Sequence, residues 1–153
     1  MPKNSLILSK ELLKRADHTI LRSDKEMPAY LSSFAVRRYV ILYMIFTAEA
    51  GGERAWSREI LSKMGFDLND AAARNRGLTY IRRLCDAMEA DFDLRIRLQK
   101  VTHPVTGRLA SYYFVESWGF FDHKRLQPFF IRNSQLFETL IKNKIFSRDV
   151  DLS

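Results

Sequence analysis

The spacing of apolar residues changes at about residue 93, and this change limits the folds open to the chain. Before it, apolar residues recur at intervals of three or four, which is the spacing of one helix face: Leu78, Ile81, Cys85 and Met88. After it, Leu94, Ile96 and Leu98 alternate with polar residues, as in a strand with one buried face. The chain is therefore predicted to be mainly α with a β-hairpin.

The segment THPVTG supplies the turn of that hairpin. Pro104 and Gly107 interrupt the alternating pattern, and the following residues, RLASYYFV, are again of types that favour strands. We therefore expect a hairpin over residues 94–113, with Leu94, Ile96 and Leu98 pointing inward.

Three helices are predicted ahead of the hairpin. The first covers about residues 33–50, is apolar on nearly every side, and is ended by two glycines. A short helix, REILSKM, follows, with Ser57 as its cap, Trp56 packed over its entry and Gly65 as its stop. The third begins after Asn69 or Asp67, either of which can cap it.

Two amphipathic segments flank this core. Residues 5–16 carry Leu8, Leu12 and Leu13 on one face, and residues 133–146 carry a second apolar stripe: Leu136, Phe137, Leu140, Ile141 and Ile145. The aromatic-rich stretch WGFFDHKRLQPFF is predicted to be a connection. We expect a single domain over residues 1–153, with a core at about 34–115.

The charge of the chain favours polyanionic partners. It carries 25 Lys and Arg against 18 Asp and Glu, which gives a net charge of +7 and a pI near 9.7. The single cysteine, Cys85, excludes an intramolecular disulfide framework and fits a reducing compartment, so we expect a cytoplasmic protein. The longest apolar run, VILYMIFTA, is about half the length that spans a bilayer, and no membrane association is expected.

The third helix combines a buried face with an unusual number of arginines. Burial of its apolar stripe places Arg76, Thr79 and Arg83 on the opposite side, with Asn75 and Arg82 along one flank and Arg74 nearer the apolar side. Arginine can pair with guanine edges or phosphates, asparagine with adenine, and threonine with a thymine methyl group. The alternative is a solvated face with local ion pairs, for example Arg82 with Asp86 four residues on.

Two further features of this region leave alternatives open. Gly77 lies inside the helix, where glycine costs about 1 kcal/mol relative to alanine. Tight packing on the preceding helix explains it slightly better than close approach to a phosphate. The hairpin contains Arg95, Arg97, Lys100 and Arg108 with no acidic residue, although charges on a strand are also the ordinary outward face of a half-buried hairpin.

Residues from about 34 to 115 resemble the winged helix-turn-helix family. SREILSKMGF is similar to the first helix of the motif, DAAARNRGLTYIRRLCDAM to its recognition helix, and LRIRLQKVTHPVTGRLASYYFV to its wing. The resemblance implies a winged fold with additional N- and C-terminal helices. It also implies that the recognition helix enters the major groove of double-stranded DNA while the wing follows the backbone or minor groove. Phosphate contacts are then expected at the wing tip from Lys100, His103 and Arg108.

The hypothesis from the sequence is a DNA-binding transcriptional regulator acting as a homodimer. By the same resemblance, the flanking apolar stripes are candidates for the subunit interface, and packing onto their own core is the alternative. Two other functions stay open: a replication-initiator or plasmid-maintenance module, and a winged-helix module that binds another protein. No catalytic constellation, metal site or cofactor is predicted, since the three histidines are widely separated and no phosphate loop or nucleophile turn is present.

Overall fold

A computed structural model of the chain describes residues 34–119 and 123–142. The predicted N-terminal helix over residues 5–16, with Leu8, Leu12 and Leu13, lies outside the described residues, as does Ile145. The described part contains five helices and a small three-stranded antiparallel sheet.

The helices enclose one apolar core. They are α1 (Phe34–Ala50), α2 (Ser57–Met64), α3 (Ala71–Phe92), α4 (His123–Arg132) and α5 (Ser134–Lys142). Helix α1 lies at the centre, and its residues 39–45 are all buried. Such a helix is stabilised by packing on every side instead of by an amphipathic stripe. None of the helices in the described ranges combines the length and apolar character needed to cross a membrane.

The sheet has one strand more than the predicted hairpin. Strands β2 (Arg95–Thr102) and β3 (Leu109–Ser117) form that hairpin, and β1 (Ala55–Trp56) pairs antiparallel with β3, so that the order is β1-β3-β2. Trp56 lies opposite Tyr112 in this ladder. The prediction that Trp56 only packs over the entry of α2 is therefore incomplete, because a two-residue strand has too few positions to show an alternating pattern.

Two predicted helix caps are wrong. Ser57 is the first residue of α2, and its buried hydroxyl shares a hydrogen bond of 2.7 Å with the hydroxyl of Ser111 on β3. Helix α3 is capped by Asp70, whose carboxylate accepts hydrogen bonds from the backbone N–H groups of Ala72 and Ala73. The N-cap residue of α2 is Trp56, which makes no side-chain capping hydrogen bond, whereas Asp70 is the polar residue next to the first turn of α3. The predicted stop at Gly65 is confirmed, with φ of 95°.

The C-terminal part of the described chain also packs on α1. The predicted helix after Asn133 is confirmed over Ser134–Lys142 as α5. Residues 123–130 of the aromatic-rich stretch before it belong to helix α4, with Pro128 inside, instead of to a connection. Leu136, Phe137 and Leu140 are buried in the same core as α1, and the ring of Phe137 stacks on Tyr43 at 4.6 Å. For these three residues, the alternative of packing onto their own core is therefore confirmed.

Candidate nucleic-acid interface

Helix α3 is held against α2 at Gly77. A Cβ atom added at this position would lie 2.4 Å from Cδ2 of Leu61, which is closer than a side chain can approach, and 3.0 Å from the ring of Phe66. A larger residue would force the buried Leu61 side chain to move, so glycine suits the close packing of the two helices. Of the two explanations left open for Gly77, the structure supports tight packing.

The buried face of α3 is the predicted one, with additions. Ile81, Cys85 and Met88 are buried and Leu78 is partly buried, and the remaining buried positions extend the same face: Ala73, Tyr80, Leu84 and Phe92. Burial raises the pKa of the Cys85 thiol to about 12, so this cysteine is an inert core residue.

The opposite face of α3 is open to solvent. Its exposed polar residues are Asn75, Arg76, Thr79, Arg82, Arg83 and Asp86, while Arg74 is partly buried, as its position on the helix predicts. Within residues 34–119 and 123–142, none of these four arginines forms an ion pair with a carboxylate. The alternative in which Arg82 pairs with Asp86 is therefore not what the described residues adopt.

The arginines at the start of β2 differ from those of α3. We call residues 94–97 with 113–117 the hairpin base. There Arg95 lies 3.8 Å from Glu89 and 3.4 Å from Asp93, and Arg97 lies 3.4 Å from Glu89. Arg97 also donates a hydrogen bond to Glu116, which raises the pKa of its guanidinium. The acidic end of α3 thus neutralises this part of the hairpin, and the two arginines are the ordinary paired outer face.

The remaining hairpin residues, 98–112, are called the hairpin tip. Lys100 and Arg108 are exposed here, and neither is ion-paired within the described part of the chain. No acidic residue occurs anywhere from 94 to 115. The predicted inward position of Leu98 is wrong, because this side chain is 47% exposed, although Tyr113 opposite it in the ladder is buried.

His103 has a structural task at the turn of the tip. Its Nδ1 accepts hydrogen bonds from the backbone N–H groups of Val105 (3.1 Å) and Thr106 (3.3 Å), so the ring proton lies on Nε2. The ring also lies against Trp56, with 4.4 Å between centroids. Of the two ring nitrogens, Nε2 is thus the one left to donate to a phosphate.

A groove of about 680 Å³ separates the start of α2 from the tip. Arg58 lines one side of it, and His103, Thr106 and Arg108 line the other, with Glu59 as the acidic residue of its lining. Nothing in the sequence singles out Arg58 as a candidate. The antiparallel pairing of β1 with β3 brings it to the same groove as Arg108, fifty residues along the chain.

The pairing of β1 with β3 also positions a second cation, Arg54. The guanidinium of Arg54 lies 4.4 Å from the ring centre of Tyr112 and 6.0 Å from that of Trp56, within the range of cation–π attraction. This contact holds Arg54 against the sheet next to the tip. Like Arg58, it depends on strand β1, which the sequence pattern does not reveal.

Among the described residues, no three His, Cys, Asp or Glu side chains cluster in a way that could hold a metal ion. Comparison of the chain with known protein families, with curated proteins and with solved structures finds no match. The function of the protein is therefore inferred from the residues of this chain alone.

Proposed function

We propose that this protein binds double-stranded DNA in a sequence-specific manner and acts as a transcriptional regulator. Helix α3 would enter the major groove, and the hairpin tip would follow the backbone. The element order α1, β1, α2, α3, β2, β3 is compatible with the winged helix-turn-helix arrangement that the sequence resembles. In that arrangement α2 and α3 form the helix pair and the hairpin forms the wing.

The observation that carries the proposal is the exposed face of α3. Arginine side chains that are exposed and not ion-paired are available to a ligand, and Arg76 and Arg83 lie on the same side as Thr79. A helix of this width fits the major groove of B-DNA, where guanidinium groups can pair bidentately with guanine. Asn75, on the flank, offers the amide that pairs with adenine. Gly77 supports this role indirectly, because it seats α3 tightly on α2.

The distribution of charge supports the second contact. At the hairpin base, nearby carboxylates already neutralise the arginines, whereas Lys100 and Arg108 at the tip keep their charge, and Arg58 faces Arg108 across the groove. Cations that no protein carboxylate neutralises are free to displace counterions from phosphates. The tip, and not the base, is therefore the part of the hairpin proposed to contact the DNA backbone.

Binding of the purified protein to a labelled random duplex, measured by fluorescence anisotropy at several salt concentrations, tests the proposal. We expect measurable affinity at low salt and a linear fall of log affinity with log salt. The matched control is Arg97→Ala, which removes one charge from the hairpin base and should leave the salt dependence unchanged. No affinity at low salt would overturn the proposal and favour a protein partner for the basic face.

Selection of bound sites from random DNA, with the mass of the protein in solution, tests specificity and the homodimer. A dimer should select two half-sites about one helical turn apart. Since Leu136, Phe137 and Leu140 are buried within the chain, a dimer would have to use another surface. Sites near promoters fit a regulator, whereas repeated sites at an origin would instead fit a replication initiator.

A further inference from the structure

The hairpin tip exposes apolar side chains as well as cations. Among the described residues, four large apolar side chains are well exposed; three lie in the tip, Leu98 (47%), Val105 (86%) and Leu109 (72%), and the fourth is Ile131 (66%) in α4. Single exposed apolar residues are common, but three in one hairpin tip indicate a contact surface. Val105, at the end of the projection, is the most exposed of the four.

The turn that presents Val105 is held by its own hydrogen bonds. In addition to the two accepted by His103, the N–H of Gly107 donates to the carbonyl of His103 (2.9 Å) and the N–H of Arg108 to the hydroxyl of Thr106 (3.2 Å). Gly107 has φ of 70°, a conformation that favours glycine. The β-branched side chain of Val105 is itself stiff. An apolar group fixed in this way loses little conformational entropy when it is inserted into a partner.

The surroundings of Val105 identify the kind of partner. Lys100 and Arg108 belong to the same tip, and no acidic residue lies between positions 94 and 115. An apolar protein groove would leave these cations without counter-charges, whereas a DNA groove offers apolar base-pair stacks between two rows of phosphates. The combination of a small apolar point with flanking cations therefore fits duplex DNA better than a second apolar surface.

We infer that Val105 inserts as a wedge into the minor groove and bends the DNA. This inference rests on the proposed function, since it concerns the same bound duplex. Apolar side chains that partly unstack a base step kink DNA by roughly 20–90° toward the major groove. Pyrimidine–purine steps unstack most easily, so the wedge adds a preference for such a step at the position beneath the tip. Lys100 and Arg108 hold the phosphates on either side.

The test is energy transfer between dyes at the two ends of a selected duplex of about 30 base pairs, a length well below the DNA persistence length. The wild-type protein should bring the ends closer, to an extent that corresponds to a bend of at least about 20°. Val105→Ser should bind with an unchanged salt slope but leave the duplex straight, and should lose the preference for a flexible step. Ile131→Ser is the matched control, because it makes the same kind of change on an exposed residue outside the hairpin.

Each result separates the two proposals. If the wild-type protein binds DNA without bending it, or if Val105→Ser bends it equally, the wedge is wrong while the proposed function stands. If the wild-type protein binds no DNA, the proposed function fails with it. If Val105→Ser abolishes a concentration-dependent dimer seen by sedimentation, the apolar tip serves a second copy of the chain and the wedge is likewise overturned. Circular dichroism confirms that each variant is folded.

Discussion

The base and the tip of one hairpin differ in almost every property that matters for binding, although both carry two basic residues. At the base, Leu94 and Ile96 are 0% and 8% exposed, and Arg95 and Arg97 are paired with carboxylates. At the tip, apolar and basic side chains are both open to solvent. The acidic residues at the end of α3 cause the difference in charge, because they lie beside the base and do not reach the tip.

This comparison shows why a net charge of +7 says little about where a partner binds. Glu89 and Asp93 lie next to the arginines of the base, and Asp91 pairs with Arg38 of α1 at 2.5 Å. The carboxylates at the end of α3 therefore form ion pairs within the chain. Within residues 34–119 and 123–142, the arginines on the exposed face of α3 and the cations of the tip lie outside these ion pairs. Four predictions test this division.

The largest difference should appear in stability. Leu94→Ala removes a fully buried side chain and should lower the free energy of unfolding by about 2–5 kcal/mol. Leu109→Ala makes the same change on a side chain that is 72% exposed and should alter it by less than about 0.5 kcal/mol. Urea denaturation of both variants measures the difference. Equal losses would show that the tip packs against the rest of the chain.

The second prediction compares two arginines in DNA binding. Arg83→Ala should weaken binding to a selected site by about 1–3 kcal/mol and relax the sequence preference, because a bidentate base contact is lost. Arg76→Ala should act in the same way. Arg97→Ala is the control, since its guanidinium is already engaged by Glu89 and Glu116. Competition titrations on selected and mutated duplexes give the values, and normal binding by Arg83→Ala would mean that α3 faces the DNA differently.

Buried ionisable groups of the core should make the free energy of unfolding fall at alkaline pH. Burial raises the pKa of Cys85 from 9.0 to about 12 and that of Tyr43 from 10.0 to about 12. The unfolded chain therefore releases these protons first, and the stability present below pH 9 is lost as the pH rises. Each released proton costs about 1.4 kcal/mol per pH unit.

Urea denaturation at pH 8, 9 and 10 under reducing conditions tests this dependence. Between pH 9 and 10 Cys85 should make the largest single contribution to the decline, because the tyrosines of the unfolded chain ionise only near pH 10. Cys85→Ala should accordingly flatten the decline in this interval, whatever its effect at neutral pH. A variant with the same slope as the wild-type protein would contradict the assignment to the thiol.

The smallest effect concerns a single phosphate contact. Arg108→Ala should weaken binding to all duplexes alike and reduce the slope of log affinity against log salt by about one. Arg95→Ala, which removes the same charge from the hairpin base, should leave that slope unchanged because Asp93 and Glu89 already neutralise it. Slopes that fall equally in the two variants would remove the distinction between base and tip.

Much of the local structure follows from the sequence pattern. The bounds of α1, the start of the hairpin, the stop at Gly65 and the buried stripe of α3 agree with periodicity and glycine placement, because these depend on residues close in the chain. The second strand of the hairpin continues to Ser117, past the predicted end at residue 113. Strand β1 and helix α4 do not emerge in this way. The first is too short to show a period, and the second contains a proline and a crowded aromatic segment that obscure its pattern.

The residues of the candidate site likewise divide into those that the sequence predicts and those that depend on contacts between distant parts of the chain. The outward-facing residues of α3 follow from the sequence alone, since a helix with a buried stripe leaves Arg76, Thr79 and Arg83 on the other side. The tertiary structure was needed to show that carboxylates pair with the arginines of the hairpin base, that Arg58 and Arg108 line one groove, and that Val105 is 86% exposed at the turn of the tip. These outcomes depend on ion pairs and strand pairings between residues far apart in the chain, and periodicity carries no information about such contacts.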